Sequence, residues 1–176
     1  MKKLLLLTAI VFISTVACKK IDELTQFEME YNESVVIPSS SGLNLPFNLF
    51  TPEVESNSES AFAVNDTRKD LIEEIQLIEL ELTVSSPSNS DFSFLKSIDV
   101  YISAEGLSER RIAWGDNIPE NKSSIQLETT DADLQEFIKK DEFKLRLNTI
   151  TDEAMSSDHT IDVHSVFFVD AEILGQ

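Results

Sequence analysis

A two-residue period runs through most of this chain and constrains its fold more than any other feature. Phe27, Met29, Tyr31, Val35 and Ile37 alternate with Glu28, Glu30, Asn32 and Ser34. Successive side chains of a strand point to opposite faces, so this spelling describes a strand with one face on a core and one in water. Leu43, Leu45, Phe47 and Leu49 repeat it. So do Ile78, Leu80, Leu82 and Val84 against Glu79, Glu81 and Thr83, then Ile98, Val100 and Ile102, then Phe143, Leu145 and Leu147. In the last such segment Ile161, Val163, Ser165, Phe167, Val169, Ala171 and Ile173 share a face, while Val166 and Phe168 make the other face apolar too. That strand is expected to be covered on both sides at its middle. Seven to nine strands separated by polar turns such as 85–90 specify an all-β fold, a two-layer antiparallel β-sandwich that is immunoglobulin-like or jelly-roll-like. Only four glycines are present, few for a fold that needs tight hairpins.

Two segments interrupt the alternation with a shared T-x-x-D-L-x-E-x-I spelling, Thr67–Ile75 and Thr130–Ile138. Thr67 and Thr130 suit helix N-caps, Asp70 and Asp133 complement the first turn, and Leu71/Ile75 and Leu134/Ile138 fall on one face at i, i+4. Two short capping helices are therefore expected. The likeness extends without a gap over 60–101 and 123–164, so these are candidate copies of a strand–helix–strand–strand unit.

Thirty-two acidic residues against 14 basic ones give a formal charge of −18, a surface that repels nucleic acid and anionic headgroups. Eleven Phe against two Tyr and one Trp weight the aromatic content toward core filling and away from recognition surfaces.

The N-terminus carries separate information. Lys2 and Lys3 precede the apolar run Leu4–Ile13, which is too short to span a bilayer, and Ser14–Ala17 supply small residues before Cys18, the one cysteine. This stretch resembles a bacterial lipoprotein signal peptide, with Thr15-Val16-Ala17-Cys18 at the lipobox, although Leu is usual where Thr15 stands. The resemblance implies cleavage before Cys18, a diacylglycerol thioether on its sulfur, and membrane attachment through acyl chains. It divides the chain into a signal peptide, 1–17, a lipidated tether, 18–26, and one sandwich domain, 27–176. The tether's Lys20-x-Asp22-Glu23 is similar to a surface-export signal of Bacteroidota lipoproteins, and Lys19 after Cys18 points to the outer membrane, on its periplasmic face or the cell surface. Loss of Lys2 and Lys3 leaves 12 basic against 32 acidic residues, a charge of −20, so anchoring rests on lipid and not on a basic patch. The mature domain resembles uncharacterised exported sandwich lipoproteins in architecture alone, and architecture does not supply a reaction.

No nucleophile elbow, phosphate loop, zinc spacing or helix–loop–helix calcium loop is present, so no catalytic residue, metal or cofactor is assigned. His159 and His164 are five apart and fall on opposite strand faces, one in a turn and one on the surface. Acidic loops at 116–120 and 152–158 lack spaced oxygen ligands. The one recognition candidate is Ala113–Pro119, where Trp114, with Asp116, Asn117 and the distant Tyr101, has the make-up of a sugar-stacking surface. Alternation with Ile112 instead places Trp114 in the core. The expected function is a non-catalytic, lipid-anchored envelope module that binds another envelope protein, with a surface glycan module using Trp114 and Tyr101 as the alternative.

Overall fold

Ten strands and two short helices run through residues 26–172, the part of the chain that the computed structural model describes. The signal segment, Cys18 and Ile173 lie outside the described residues. The strands are β1 (Gln26–Ile37), β2 (Pro46–Phe50), β3 (Val54–Glu55), β4 (Ile72–Ser86), β5 (Leu95–Ser103), β6 (Arg110–Asp116), β7 (Ser124–Gln126), β8 (Glu128–Thr129), β9 (Glu142–Thr151) and β10 (His159–Ala171). One sheet has the order β1-β10-β4-β7, and the other β2-β9-β5-β6-β8 with β3 beside β9. Setting aside the two-residue strands β3 and β8, the first strand pairs with the last, the second with the next to last, β4 with β7, and β5 with β6. This is one long nested hairpin, rolled up by the β4–β10 and β5–β9 pairings. Of the two sandwich types expected from the sequence, that is the jelly roll.

The inward faces close on a core led by Phe62, Phe92, Phe137, Phe143 and Phe167. Tyr31 and Phe167 from the first sheet meet Phe143 from the second edge to face, with centroids 5.1–6.2 Å apart. The Tyr31 hydroxyl donates to the Ser56 carbonyl at 2.6 Å, so burial pushes its ionisation up while the polar atom stays satisfied.

Alternation fails where the backbone carries an extra residue. Val166 pairs with Glu79 and Phe167 with Leu77, which leaves Ile78 as a bulge, 44% exposed. A second bulge leaves out Glu73, so β4 buries Ile72, Ile75, Leu77, Leu80, Leu82 and Val84. Ile78 therefore does not join Leu80 in the core as the simple alternation implied. On β10 Val166 is buried and Phe168 half-buried on the outer side, as the two-sided spelling implied. Leu43 and Leu45 are exposed, because Asn44 turns the chain with φ 54° and the strand starts only at Pro46.

Two short α-helices are present, one of them away from its expected place: α1 (Ser58–Val64) and α2 (Gln135–Ile138). Thr67–Ile75 is no α-helix. Lys69–Leu71 forms a 3-10 turn and Ile72 begins β4, because Ile72, Ile75 and Leu77 fill the core in extended form. Thr67 does not cap a helix; its buried hydroxyl donates to the Glu172 carbonyl at 2.7 Å. Thr130 accepts from the Ala132 amide, and α2 is a single turn capped at Leu134. Asp133 is held below its usual range: burial raises it, but donation from the Gln135 side chain and from the Ile75 and Gln135 amides outweighs this. The two segments of shared spelling thus have different conformations. The strands that follow them cross over, β4 pairing with β10 and β9 with β5.

Strand β1 is an edge, and Glu33 lies on its inward-facing phase between Tyr31 and Val35. An inward charge discourages another strand from adding there. Burial raises the Glu33 carboxyl, so the fold favours its protonated form. With the folded pKa above the unfolded one, this residue is least costly below the unfolded pKa and becomes a liability as pH rises through the folded value. Glu33→Gln is expected to stabilise the domain slightly at neutral pH, by less than about 0.5 kcal/mol, and to leave its stability unchanged near pH 3, a comparison thermal melts can make.

Candidate functional site

The outward face of the six-stranded sheet gathers most of the residues singled out in the sequence. Across it the register aligns Asn48, Asn148, Asp99, Trp114 and Glu128 in one row and Phe50, Arg146, Tyr101 and Arg111 in the next. Trp114 is half-buried on this outer face and is not a core residue, which corrects the expectation from its spacing to Ile112. The cause is a bulge: Val100 pairs with Ala113 and Tyr101 with Arg111, so Ile112 is skipped, Ile112 and Ala113 both turn inward, and Trp114 turns out. Gly115 then faces Ile118 and Leu127, where a Cβ would lie 2.7 and 2.9 Å from their side chains.

Charged partners hold the two aromatic rings. The Arg146 guanidinium lies 4.0 Å from the Tyr101 ring centroid and the Arg111 guanidinium 4.6 Å from that of Trp114. Arg146 makes two bonds of 2.8 Å to Glu109 and a third of 2.7 Å to Asn48, which also accepts from Asn148. That bidentate contact holds the Glu109 carboxyl below the usual carboxylate range. Arg111 pairs with Asp99 at 2.6 Å, and the Trp114 indole donates to Glu128 at 2.8 Å. Tyr101 and Trp114 share the platform, with Arg111 between them, and Asp116 follows on the same face, exposed opposite Ser97. Asn117 sits beyond it in a turn with φ 54°. Sequence reasoning missed Arg111, Arg146, Asn48 and Glu128. Their signal was present as polar residues at the outward positions of strands whose inward positions were already assigned.

The histidines take separate roles. His159 opens β10, buried against the Phe94 ring at 4.7 Å, so it is a core residue and not one of a turn. His164 bonds Asn32 on the opposite, outer face. Asp158 accepts from the Ser39 amide and hydroxyl, which holds its carboxyl down and closes the 38–45 loop over the 152–158 loop. Among the described residues no three His, Cys, Asp or Glu side chains are grouped to hold a metal. An open groove of about 730 Å³ beside α2, lined by Glu105, Lys139, Asp141, Phe143 and Lys144 among others, has a lining of mixed charge.

Charge is divided between the sheets. No Lys or Arg occurs on β1, β4, β7 or β10, whereas Lys96, Arg110, Arg111, Lys144 and Arg146 all lie on the other sheet. The first sheet's outer face carries Glu28, Glu30, Glu79 and Glu81.

No family model matches the chain, and no curated protein matches it. Among solved structures it is similar to that of Desmodium yellow mottle tymovirus, with 14% identity over 86% of this chain and 85% of that one and a TM-score of 0.31. It is also similar to Cocksfoot mottle virus, at 6% identity over 85% of each chain with a TM-score of 0.29, and to Turnip yellow mosaic virus, at 10% identity over 85% and 84% with a TM-score of 0.27.

Proposed function

We propose that this chain is a lipid-anchored, non-catalytic lipoprotein of a bacterial outer membrane, whose jelly-roll domain serves as a structural or protein-interaction module. The observation that carries this reading is the run from Lys2 and Lys3 through Leu4–Ile13 to Ala17-Cys18. Cys18 supplies the thiol for acylation and is the chain's one cysteine, so the mature domain would keep neither a free thiol nor a disulfide. The platform supports a surface held together internally, because its guanidinium and carboxylate groups bond one another. Mass analysis of the mature N-terminal peptide tests the reading. A diacylglycerol adduct on Cys18 supports it; a chain beginning elsewhere, with an unmodified thiol, refutes it.

A second reading, a surface glycan module using Trp114 and Tyr101, draws support from the outward turn of Trp114 toward Asp116. Against it, a guanidinium already covers a face of each ring, so a sugar must displace Arg111 or Arg146 to stack. Trp114 is the one tryptophan, so its emission reports on this surface alone. Trp114→Ala is expected to cost only about 0.5–2 kcal/mol, the scale of a partly exposed cation–π contact and one hydrogen bond. Soluble glycans are expected to leave the wild-type emission unchanged, and a saturable sugar-dependent shift would establish the second reading.

A further inference from the structure

We infer that the domain stands on the bilayer by one end: the end holding Gln26, α1 and Ala171 faces the lipid headgroups, and the loops at the other end are displayed away from them. This rests on the lipid anchor at Cys18 proposed above. The register defines the two ends. At the near end Gln26 pairs with Asp170, Phe27 packs on Phe62 of α1, and Leu71 and Thr67 both bond Glu172. At the far end Ile37 pairs with His159, Ser39 bonds Asp158, and Phe92 bonds Lys122.

Chain length excludes the inverted arrangement. Eight residue steps separate Cys18 from Gln26, and a fully extended chain covers at most about 29 Å over them. β1 alone, from Gln26 to Ile37, is about 35 Å long, before the loop beyond Ile37 is added. A bilayer touching the far end would hold Gln26 farther from Cys18 than the tether can reach.

Surface chemistry disfavours lying on the first sheet, and on the other sheet the guanidinium groups of Arg110, Arg111 and Arg146 are already paired with Glu136, Asp99 and Glu109. On the outer face of β1, β10 and β4, Glu28, Glu30, Glu79 and Glu81 would meet anionic headgroups with no Lys or Arg on these strands to offset them. The near end presents Val64, 83% exposed at the close of α1, and its cations Arg68 and Lys69 are ion-paired with Asp70, Glu59 and Asp141. Its partner is the headgroup layer itself, touched lightly and held there by the acyl chains. The displayed end is then a cluster of the loops 38–45, 87–91, 117–123 and 152–158, polar apart from the exposed Leu43 and Leu45 and cross-tied by the Ser39–Asp158 bonds and by the Asn121 amide to Ser93. Asp116 and Asn117 border it.

Acylation of Cys18 would consume the chain's one native thiol, so an introduced cysteine becomes a unique label site. The full-length chain, matured in a lipidating bacterial host, is labelled with a fluorophore at Val64→Cys, Ser88→Cys, Glu30→Cys or Phe50→Cys, all exposed positions. Each is reconstituted into phosphatidylethanolamine–phosphatidylglycerol vesicles that carry a headgroup-linked quencher. The expected result is several-fold stronger quenching at Val64→Cys than at the other three. Quenching at Ser88→Cys equal to or above that at Val64→Cys overturns the orientation. A face label, Glu30→Cys or Phe50→Cys, that matches Val64→Cys means a domain lying on its side and overturns it as well. A chain that carries no acyl mass and fails to bind vesicles overturns the anchor itself, an outcome distinct from both.

Discussion

Phe167→Ala is expected to destabilise the domain by about 3–5 kcal/mol, the usual cost of truncating a fully buried phenylalanine. Phe167 is 0% exposed at the middle of β10, the strand that joins β1 to β4, and its ring contacts Tyr31 and Phe143 edge to face. The substitution removes one member of a three-ring cluster that bridges both sheets, and the surrounding strands cannot collapse into the space without breaking register. Since total stability of a domain this size is about 5–15 kcal/mol, the loss is a large fraction of the whole. Chemical denaturation should show it as a lower midpoint at an unchanged slope. A cost below about 1 kcal/mol would mean that the aromatic cluster is not packed as described. Phe143→Ala should cost a similar amount, and the double variant less than the sum, because the two rings touch.

The second large effect concerns the anchor. Cys18→Ala is expected to move nearly all of the protein from the membrane to the soluble fraction, or to leave it as an unprocessed precursor that runs larger on a gel. The reasoning is additive: each buried methylene contributes about 0.8 kcal/mol, one short chain gives only marginal binding, and stable attachment needs two or more. A diacylglycerol on Cys18 would supply two. Four strands of the domain carry no cation, and among the described residues no helix is long and apolar enough to cross a membrane. Fractionation of cells expressing the processed variant reads the result, and continued pelleting of a folded, processed Cys18→Ala chain would overturn the lipoprotein reading.

Strands β1, β9 and β10 were legible in the sequence because each keeps its own inward positions two residues apart, as β5 does from Ile98 to Ile102. The bulges were not legible, and they account for the main errors. One added residue converts a spacing of two into three, as in Ile72 to Ile75 and Leu77 to Leu80, and threes mixed with twos imitate an amphipathic helix. That is why Thr67–Ile75 spelled a helix and folded as a turn and a strand. The same device at Ile112 moved Trp114 from the core to the platform. Helix α1 was hidden for a different reason: its seven residues contribute one buried large apolar side chain, Phe62, and Asn57 precedes it with φ 48° and no capping bond from its side chain. The platform's aromatic members could be named from the sequence, but their guanidinium partners could not, because those contacts depend on which strand lies beside which.

The nested pairing also sets the order of events in folding. β1 finds its partner β10 only at the other end of the chain, and β2 likewise waits for β9. The loop-closure entropy of these pairings must be spent before they return any contact energy, so the domain belongs among slow folders and gains little from starting at its N-terminus. β1 is therefore a strand with an acidic outer face and an inward Glu33 that remains unpaired until synthesis is nearly complete. Its charges keep it from pairing with other chains during that wait.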